Sequence, residues 1–373
     1  GQGLTNTGIG HTALEDTTTG QQNTAVGTHS FRNNTTGNYN TGIGRGSGSS
    51  NTTGQFNTAL GRFALSTNTT SHYNTAVGSD VLNQNTAASN TGVGTFALMA
   101  NTTGTQNTAV GALAADALTT GNYNTAVGYN AYSAATTGTF NMAFGNQAMG
   151  GGVVTGSRNT ACGNSALFDL TSGADNVAVG LSALENLTTG ANNTAVGANA
   201  LDANTTASNN TAVGSRSLSA NTTGATNTAI GDDCLKNNTT ASNNSAGGYR
   251  ALEENTTGAS NTAFGSEALR ENTTANNNTA FGNAGLFANT TGSNNTAVGR
   301  SALAANTTGA ENNAFGHLAL SSNTTGSANN AFGRECLQNN TTASNNTAFG
   351  HIALRANTTG GGNTALGASA LLV

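Results

Sequence analysis

Apolar and polar residues follow one another along this chain with a period of 17, as NTAVGxxALxxNTTGxx, and the pattern recurs 22 times. Every copy opens on an Asn and has Gly at its fifth position. The opening Asn falls at Asn6, Asn23, Asn40, Asn57, Asn74, Asn90, Asn107, Asn124, Asn141, Asn159, Asn176, Asn193 and then at the same strict interval to Asn363. Two spacings deviate, one residue short before Asn90 and one long before Asn159. A unit this short cannot enclose a core alone and must stack on its neighbours, so the period predicts a solenoid.

The chain has no proline and no long run with helical period, and a repeat so brief and so dense in Asn, Thr and Gly cannot form a helix pair, which leaves strands. Tight antiparallel hairpins favour Asn-Gly turns, and that dipeptide is absent here, so parallel coils are expected. The predicted class is all-β: a parallel β-solenoid of the β-roll or β-helix type, with 22 coils of one repeat each in one domain over residues 1–373. An irregular coil is expected at about 146–158, where three consecutive glycines break the rhythm. At roughly 4.8 Å per coil the rod would be about 105 Å long.

The copies serve as an internal mutation series. Position 4 is the bulky slot, as in Val26, Ile43, Val196, Ile230, Phe264, Phe281, Phe315, Phe332 and Phe349, and is expected to point into the core. Position 9 is mostly Leu (Leu65, Leu184, Leu201, Leu269, Leu303), and the Ala before it marks a tight inner corner. Two such side chains per coil, worth roughly 2 kcal/mol each, barely offset the entropy of ordering the coil. Polar stacks must add the rest. Position 12 is Asn in fifteen copies, among them Asn204, Asn221, Asn255 and Asn306, but Leu118, Leu170 and Leu187 elsewhere. A slot that accepts Asn or Leu reads as interior, with each amide bonded to those one coil above and below. The opening residues Asn193, Asn210, Asn227 and Asn261 are read as a second structural column, through a side-chain ladder or a left-handed turn. Asn-Thr-Thr is also a glycosylation sequon, which burial would silence, whereas Asn209 at the coil junction heads a sequon free of that objection. The fifth-position Gly marks a backbone conformation or closeness that a side chain would forbid.

Charge then separates the surfaces. Of the 27 charged residues, 24 lie at positions 6, 7, 10 and 11, flanking the Ala-Leu corner, and only Arg158, Asp175 and Glu311 stand elsewhere. The remaining surface is an uncharged carpet of Asn, Thr, Ser and Gly, expected either to carry ladders or to pack against another rod, a glycan, a surface or ice. With 7% charged residues, one lysine (Lys236) and a net charge of -5, no basic field exists to hold nucleic acid or anionic lipid. No apolar stretch approaches a membrane span, so membrane insertion is not expected.

No catalytic, cofactor or metal constellation is read in the chain. His11, His29, His72, His317 and His351 occupy variable positions, and the adjacent acids Asp232 and Asp233, or Glu253 and Glu254, read as surface charges without the facing geometry of a catalytic dyad. Cys162 falls in the bulky slot, and Cys234 and Cys336 share the corner slot six coils apart; all three read as small buried hydrophobes. Glycine pairs such as Gly8 and Gly10, or Gly92 and Gly94, match a dinucleotide fingerprint by chance, with no helix to follow.

The run NTAVGxxAL, as in Asn193 to Leu201 and Asn295 to Leu303, resembles the head repeat of YadA-type trimeric autotransporter adhesins and related haemagglutinin-like and tail-fibre repeats. The resemblance covers nearly the whole chain. It implies a left-handed parallel β-roll, an extracellular or cell-surface location, and a non-enzymatic adhesive or fibrous module whose binding is spread over repeats. Partners would be further copies of the chain, as a head-to-tail filament or homotrimer, and host surfaces or glycans. Gly1 and Val373 fall at repeat positions 13 and 11 without polar caps, which also points to stacking of copies end to end or to a longer solenoid. The expected function is therefore a structural fibre or filament-forming adhesin-like protein, with a phage-type tail-fibre shaft or an ice-binding solenoid as alternatives.

Overall fold

The structure, a computed structural model, describes residues 5–371. These fall into two compact units, divided in the sequence between Gly190 and Ala191. The first holds strands β1 (Thr7–Ile9) to β11 (Val177–Val179), and the second holds β12 (Thr194–Val196) to β22 (Thr364–Leu366). Each strand is three residues long, covers repeat positions 2 to 4, and pairs in parallel with the strand one coil away. In the second unit Thr211, Ala212 and Val213 face Thr228, Ala229 and Ile230. In the first unit the register crosses both irregular spacings unbroken, Thr75 facing Thr91 and Met142 facing Thr160. No helix occurs among the described residues. The chain is a parallel β-solenoid in which one sequence repeat makes one coil.

The strands correct the expected facing of position 4. Side chains alternate across a strand, and it is the Ala at position 3 that enters the interior: Ala195, Ala263, Ala280, Ala314, Ala331 and Ala348 are fully buried. Position 4 therefore points outward. Val196 is 37% exposed, Phe264 39%, Phe281 43% and Phe349 41%, while Phe315 and Phe332 are half-buried on the same outer file. Cys162 is likewise only partly covered. A three-residue strand sends one residue inward, and in so narrow a coil only the smallest fits. Leu201 and Leu269 at position 9 are fully buried, as the pattern required.

The corners turn on left-handed residues. Position 7 (Asn199, φ 55°; Arg216, φ 53°), position 9 (Leu201, φ 54°; Leu218, φ 54°) and position 17 (Asn209, φ 63°; Thr226, φ 61°) all have positive φ. Such a conformation costs a bulky residue about 1 kcal/mol or more. It is offset because each flip aims an N–H at a neighbouring coil: Arg216 donates to the carbonyl of Ala198 at 2.9 Å, and Leu218 to that of Cys234 at 3.0 Å. Position 5 combines both reasons for glycine. Gly197 has φ 142°, and a Cβ there would lie 2.3 Å from the Gly214 carbonyl oxygen.

Interior volume is conserved between adjacent coils rather than within each. Phe31 takes the Leu slot and fills space vacated by Gly42 and Gly48, where added Cβ atoms would come within 2.5 and 2.6 Å of its ring. Val81 takes an Ala slot beside Gly92 in the same way, at 2.5 Å. The long coil bulges locally at its three glycines. Met149 and Val154 are both buried there, Gly151 and Gly152 both donate to the Phe168 carbonyl (2.9 and 3.1 Å), and the coil regains register at Asn159.

Candidate functional site

Two interior amide columns fix where the outward side chains stand. In the opening column, each Asn Oδ1 accepts the backbone N–H of the next opening Asn: Asn210 donates to Asn193 at 3.0 Å and Asn227 to Asn210 at 2.9 Å. Most Nδ2 groups donate to the position-15 carbonyl of the coil they open, as Asn193 to Ala207 (2.9 Å) and Asn261 to Ala275 (2.8 Å), while Asn74 Nδ2 is buried without a partner. The second column runs through position 12. Asn255 donates to Asn238 Oδ1 (2.9 Å) and Asn306 to Asn289 Oδ1 (2.8 Å), while Asn204 and Asn221 reach the carbonyls of Ala207 (3.2 Å) and Gly224 (2.9 Å). All these amides are buried, so their sequons are sealed, whereas Asn357 in the coil opened by Asn346 is only partly covered and Asn209 stands exposed. Asn221, Asn255, Asn306 and the opening Asn residues are thus ladder residues, whereas Asn204 bonds only within its own coil, to Ala207; the opening Asn is not a left-handed turn.

The strand surface is the most continuous apolar feature. In the second unit Phe264 and Phe281 stack at 5.5 Å, and Phe315, Phe332 and Phe349 stack at 4.7 and 4.6 Å with interplanar angles of 6° and 2°. Parallel rings about one strand apart cover each other's faces and turn their edges to solvent. Thr or Asn at position 2 runs beside them, with Asn313 donating to Asn330 Oδ1 at 2.9 Å. In the first unit position 4 is mostly aliphatic (Ile43, Val110), and the aromatic file moves to position 17. Tyr39, Phe56 and Tyr73 stack there at 4.7 and 5.3 Å, and Tyr123 with Phe140 at 4.8 Å, all largely exposed.

A third surface is polar and uncharged. At position 13 the Thr hydroxyl is consumed within the fold, Thr222 donating to the Thr239 carbonyl and Thr239 to that of Thr256, each at 3.1 Å. At position 14 the Thr is exposed, in a file through Thr206, Thr223, Thr240 and Thr257 to Thr342.

The charged corner is less superficial than its sequence implies. Asp233 is buried and takes a two-pronged bond from Arg216, at 2.6 and 2.8 Å, which holds its carboxyl below the usual range. Glu253 is buried against Arg270 (3.0 Å) and Arg250 (3.6 Å). One acid of each adjacent pair is therefore an interior anchor, a correction to their reading as surface charges. Arg158 and Asp175, at position 17, pair at 2.6 and 2.8 Å across adjacent coils. Burial pushes the Cys234 thiol up to about 12 and the Cys336 thiol to about 11, so both stay protonated at neutral pH. Among the described residues no group of three or more His, Cys, Asp or Glu could hold a metal ion, and no helix is long and apolar enough to cross a membrane.

No protein-family model, no curated protein and no solved structure matches the chain. The surfaces themselves must carry the functional reading. Equating bulk with burial hides the outward apolar file in the sequence. Two signals point to it all the same: position 3 is Ala or Gly in every copy, as confinement demands, while position 4 ranges from Gly247 to Phe264.

Proposed function

We propose that this chain is a non-enzymatic structural module of an extracellular fibre or filament, adhesin-like, which meets further copies of itself or a target surface through its strand face. One observation carries this reading: position 4 points outward and is apolar in coil after coil, through the Phe315, Phe332 and Phe349 stack to Leu366. Exposed apolar area repeated in register is costly unless something covers it, and single scattered residues would need no such account. Ring edges rather than ring faces look outward, which favours broad packing over the stacking of individual sugars. A tail-fibre shaft would use the same surface. The exposed Thr file at position 14 favours ice binding as the second reading.

The test replaces Phe315, Phe332 and Phe349 with Ser. The wild-type chain should form concentration-dependent assemblies in sedimentation and electron microscopy or adhere to abiotic and glycan-coated surfaces, and the triple variant should do so at least about tenfold less with its far-UV spectrum unchanged. Assembly and adhesion equal in the two proteins would reject the strand face. Thermal hysteresis in wild type, lost in Thr240→Tyr and Thr257→Tyr, would move the reading to ice binding.

A further inference from the structure

One coil corner in the first unit departs from its neighbours. Where the repeat supplies bulk around Ala-Leu, the coil opened by Asn40 reads Arg45, Gly46, Ser47, Gly48, Ser49, Ser50. Gly46 stands at position 7 between His29 and Phe63 on the adjacent coils, with the Phe63 ring over the place of its missing side chain, and a notch of about 230 Å³ opens beside it. A Cβ there would come within 2.6 Å of Phe63 Cδ1, so a larger residue would have to displace the ring.

The lining of the notch is basic and directional. Arg32 is paired with Glu15 at 2.9 Å and Arg62 with Asp80 at 2.7 Å. Arg45, among the described residues, has no carboxylate within ion-pair distance; its guanidinium lies 5.5 Å from the centroid of the Phe63 ring, and that of Arg62 lies 5.3 Å away. Of the two arginines that line the notch, Arg32 is paired and Arg45 is not. His29 Nδ1 lies 2.6 Å from Thr12 Oγ1 on the neighbouring coil, which fixes the ring at the edge of the notch. Asn33 and Ser49 complete the wall.

We propose that this notch binds a small oxyanion, a carboxylate or sulfate of the kind an acidic saccharide carries, with Arg45 as the principal donor. The planar guanidinium matches a two-oxygen acceptor, and Phe63 offers an apolar surface to the rest of the ligand. Its volume is below the range of pockets for larger cofactors, so it suits one sugar-sized group. The site lies on a corner and is independent of the strand-face reading.

Isothermal titration of the full chain with glucuronate, inorganic sulfate and glucose tests this, alongside Arg45→Gln and, as a control at the same repeat position in the second unit, Arg300→Gln. Saturable glucuronate binding that weakens with added salt is expected, with affinity reduced about tenfold by Arg45→Gln, unaltered by Arg300→Gln, and no binding of glucose. Sulfate binding as tight as glucuronate would assign recognition to the oxyanion alone, and weaker sulfate binding would add contacts from the sugar ring. Neither anion binding saturably, or Arg45→Gln binding as wild type does, would overturn the proposal. Because Arg45 is exposed, both variants should melt as wild type does.

Discussion

Residues 107–190 and residues 193–371 solve the same interior problem with different chemistry. In the later stretch position 12 is an unbroken column of buried amides from Asn204 to Asn340. In the earlier one the same place is taken by Leu118, Ala135, Leu170 and Leu187, with Val154 in the long coil, all fully buried. Strand register is kept in both. Position 12 therefore fills space, by amide or by hydrocarbon, and does not set the fold. What the two stretches share is the opening Asn column: Asn124 donates to the carbonyl of Gly138 at 2.9 Å and Asn176 to that of Gly190 at 2.9 Å, just as Asn295 does to Gly309 at 2.9 Å. The coil opened by Asn124 shows how strict the polar accounting is. Ala135 lacks the amide, and Tyr132, in the Leu slot, brings its hydroxyl to Asn141 Nδ2 at 2.7 Å.

The largest expected effect comes from breaking what the stretches share. Asn261→Leu removes the acceptor of the Asn278 N–H (2.9 Å) and leaves that donor buried and unpaired. A loss of about 3 kcal/mol, or local unfolding, is expected, and Asn159→Leu in the earlier stretch should cost as much. Chemical denaturation would show it; a loss confined to one stretch would mean that the column is not the common element.

Breaking what differs should cost less and should not add. Asn289→Leu alone removes one partner from Asn272 Oδ1 (3.0 Å) and one from the Asn306 amide (2.8 Å), which keeps its bond to the Gly309 carbonyl (2.9 Å), for an expected loss of about 2 kcal/mol. Replacing Asn272, Asn289 and Asn306 together by Leu should cost less than three times that, because partners vanish together and the slot already accepts Leu170. A multiple-mutant cycle that came out additive would contradict the interchangeability of amide and hydrocarbon.

Tyr132→Phe sharpens the comparison at one atom. It keeps the packing and deletes the hydroxyl, while Asn141 still donates to the Gly156 carbonyl at 2.9 Å, so a loss of about 1 kcal/mol is expected in thermal melts. An unchanged melt would mean that the hydroxyl merely fills space.

The smallest effect is electrostatic. Arg216 lowers the Asp233 carboxyl below its unfolded value, so the pair stabilises the fold above the ordinary carboxylate pKa of about 3.9 and loses that contribution as pH falls through the lower folded value. The melting-temperature gap between wild type and Arg216→Gln should be constant from pH 7 to about 5 and close on further acidification. A gap that persists under acid would point to packing by the Arg216 stem.

Much of this architecture is legible in residues. Strict period, absent proline and absent Asn-Gly fix a parallel solenoid, and the exchange of Asn for Leu at position 12 exposes an interior slot. The left-handed corners are not legible, because Leu201, Phe63 and Tyr132 sit at positive φ in side-chain types that avoid it; only neighbouring coils, by accepting their N–H groups, make the conformation worthwhile. The facing of position 4 misleads for a related reason. Coil width, set by backbone closure, decides that Ala and not Phe goes inside. The notch at Gly46 depends on three successive coils and cannot be read from one.

Pairing of like with like has a consequence for inheritance. Removing residues 261–277 would join Ser260 to Asn278 and bring Thr279, Ala280 and Phe281 opposite Ser245, Ala246 and Gly247, the same kinds of partners that Thr262, Ala263 and Phe264 have there now. Length in the later stretch is thus free to change by whole copies, through slippage or unequal crossing-over, without any new contact being invented. The long coil lacks that freedom, since Gly151 lies against Phe168 and Gly152 against Leu170. A gene of this design can lengthen or shorten the later stretch in steps of a single coil, whereas the long coil must keep the neighbour that fits it.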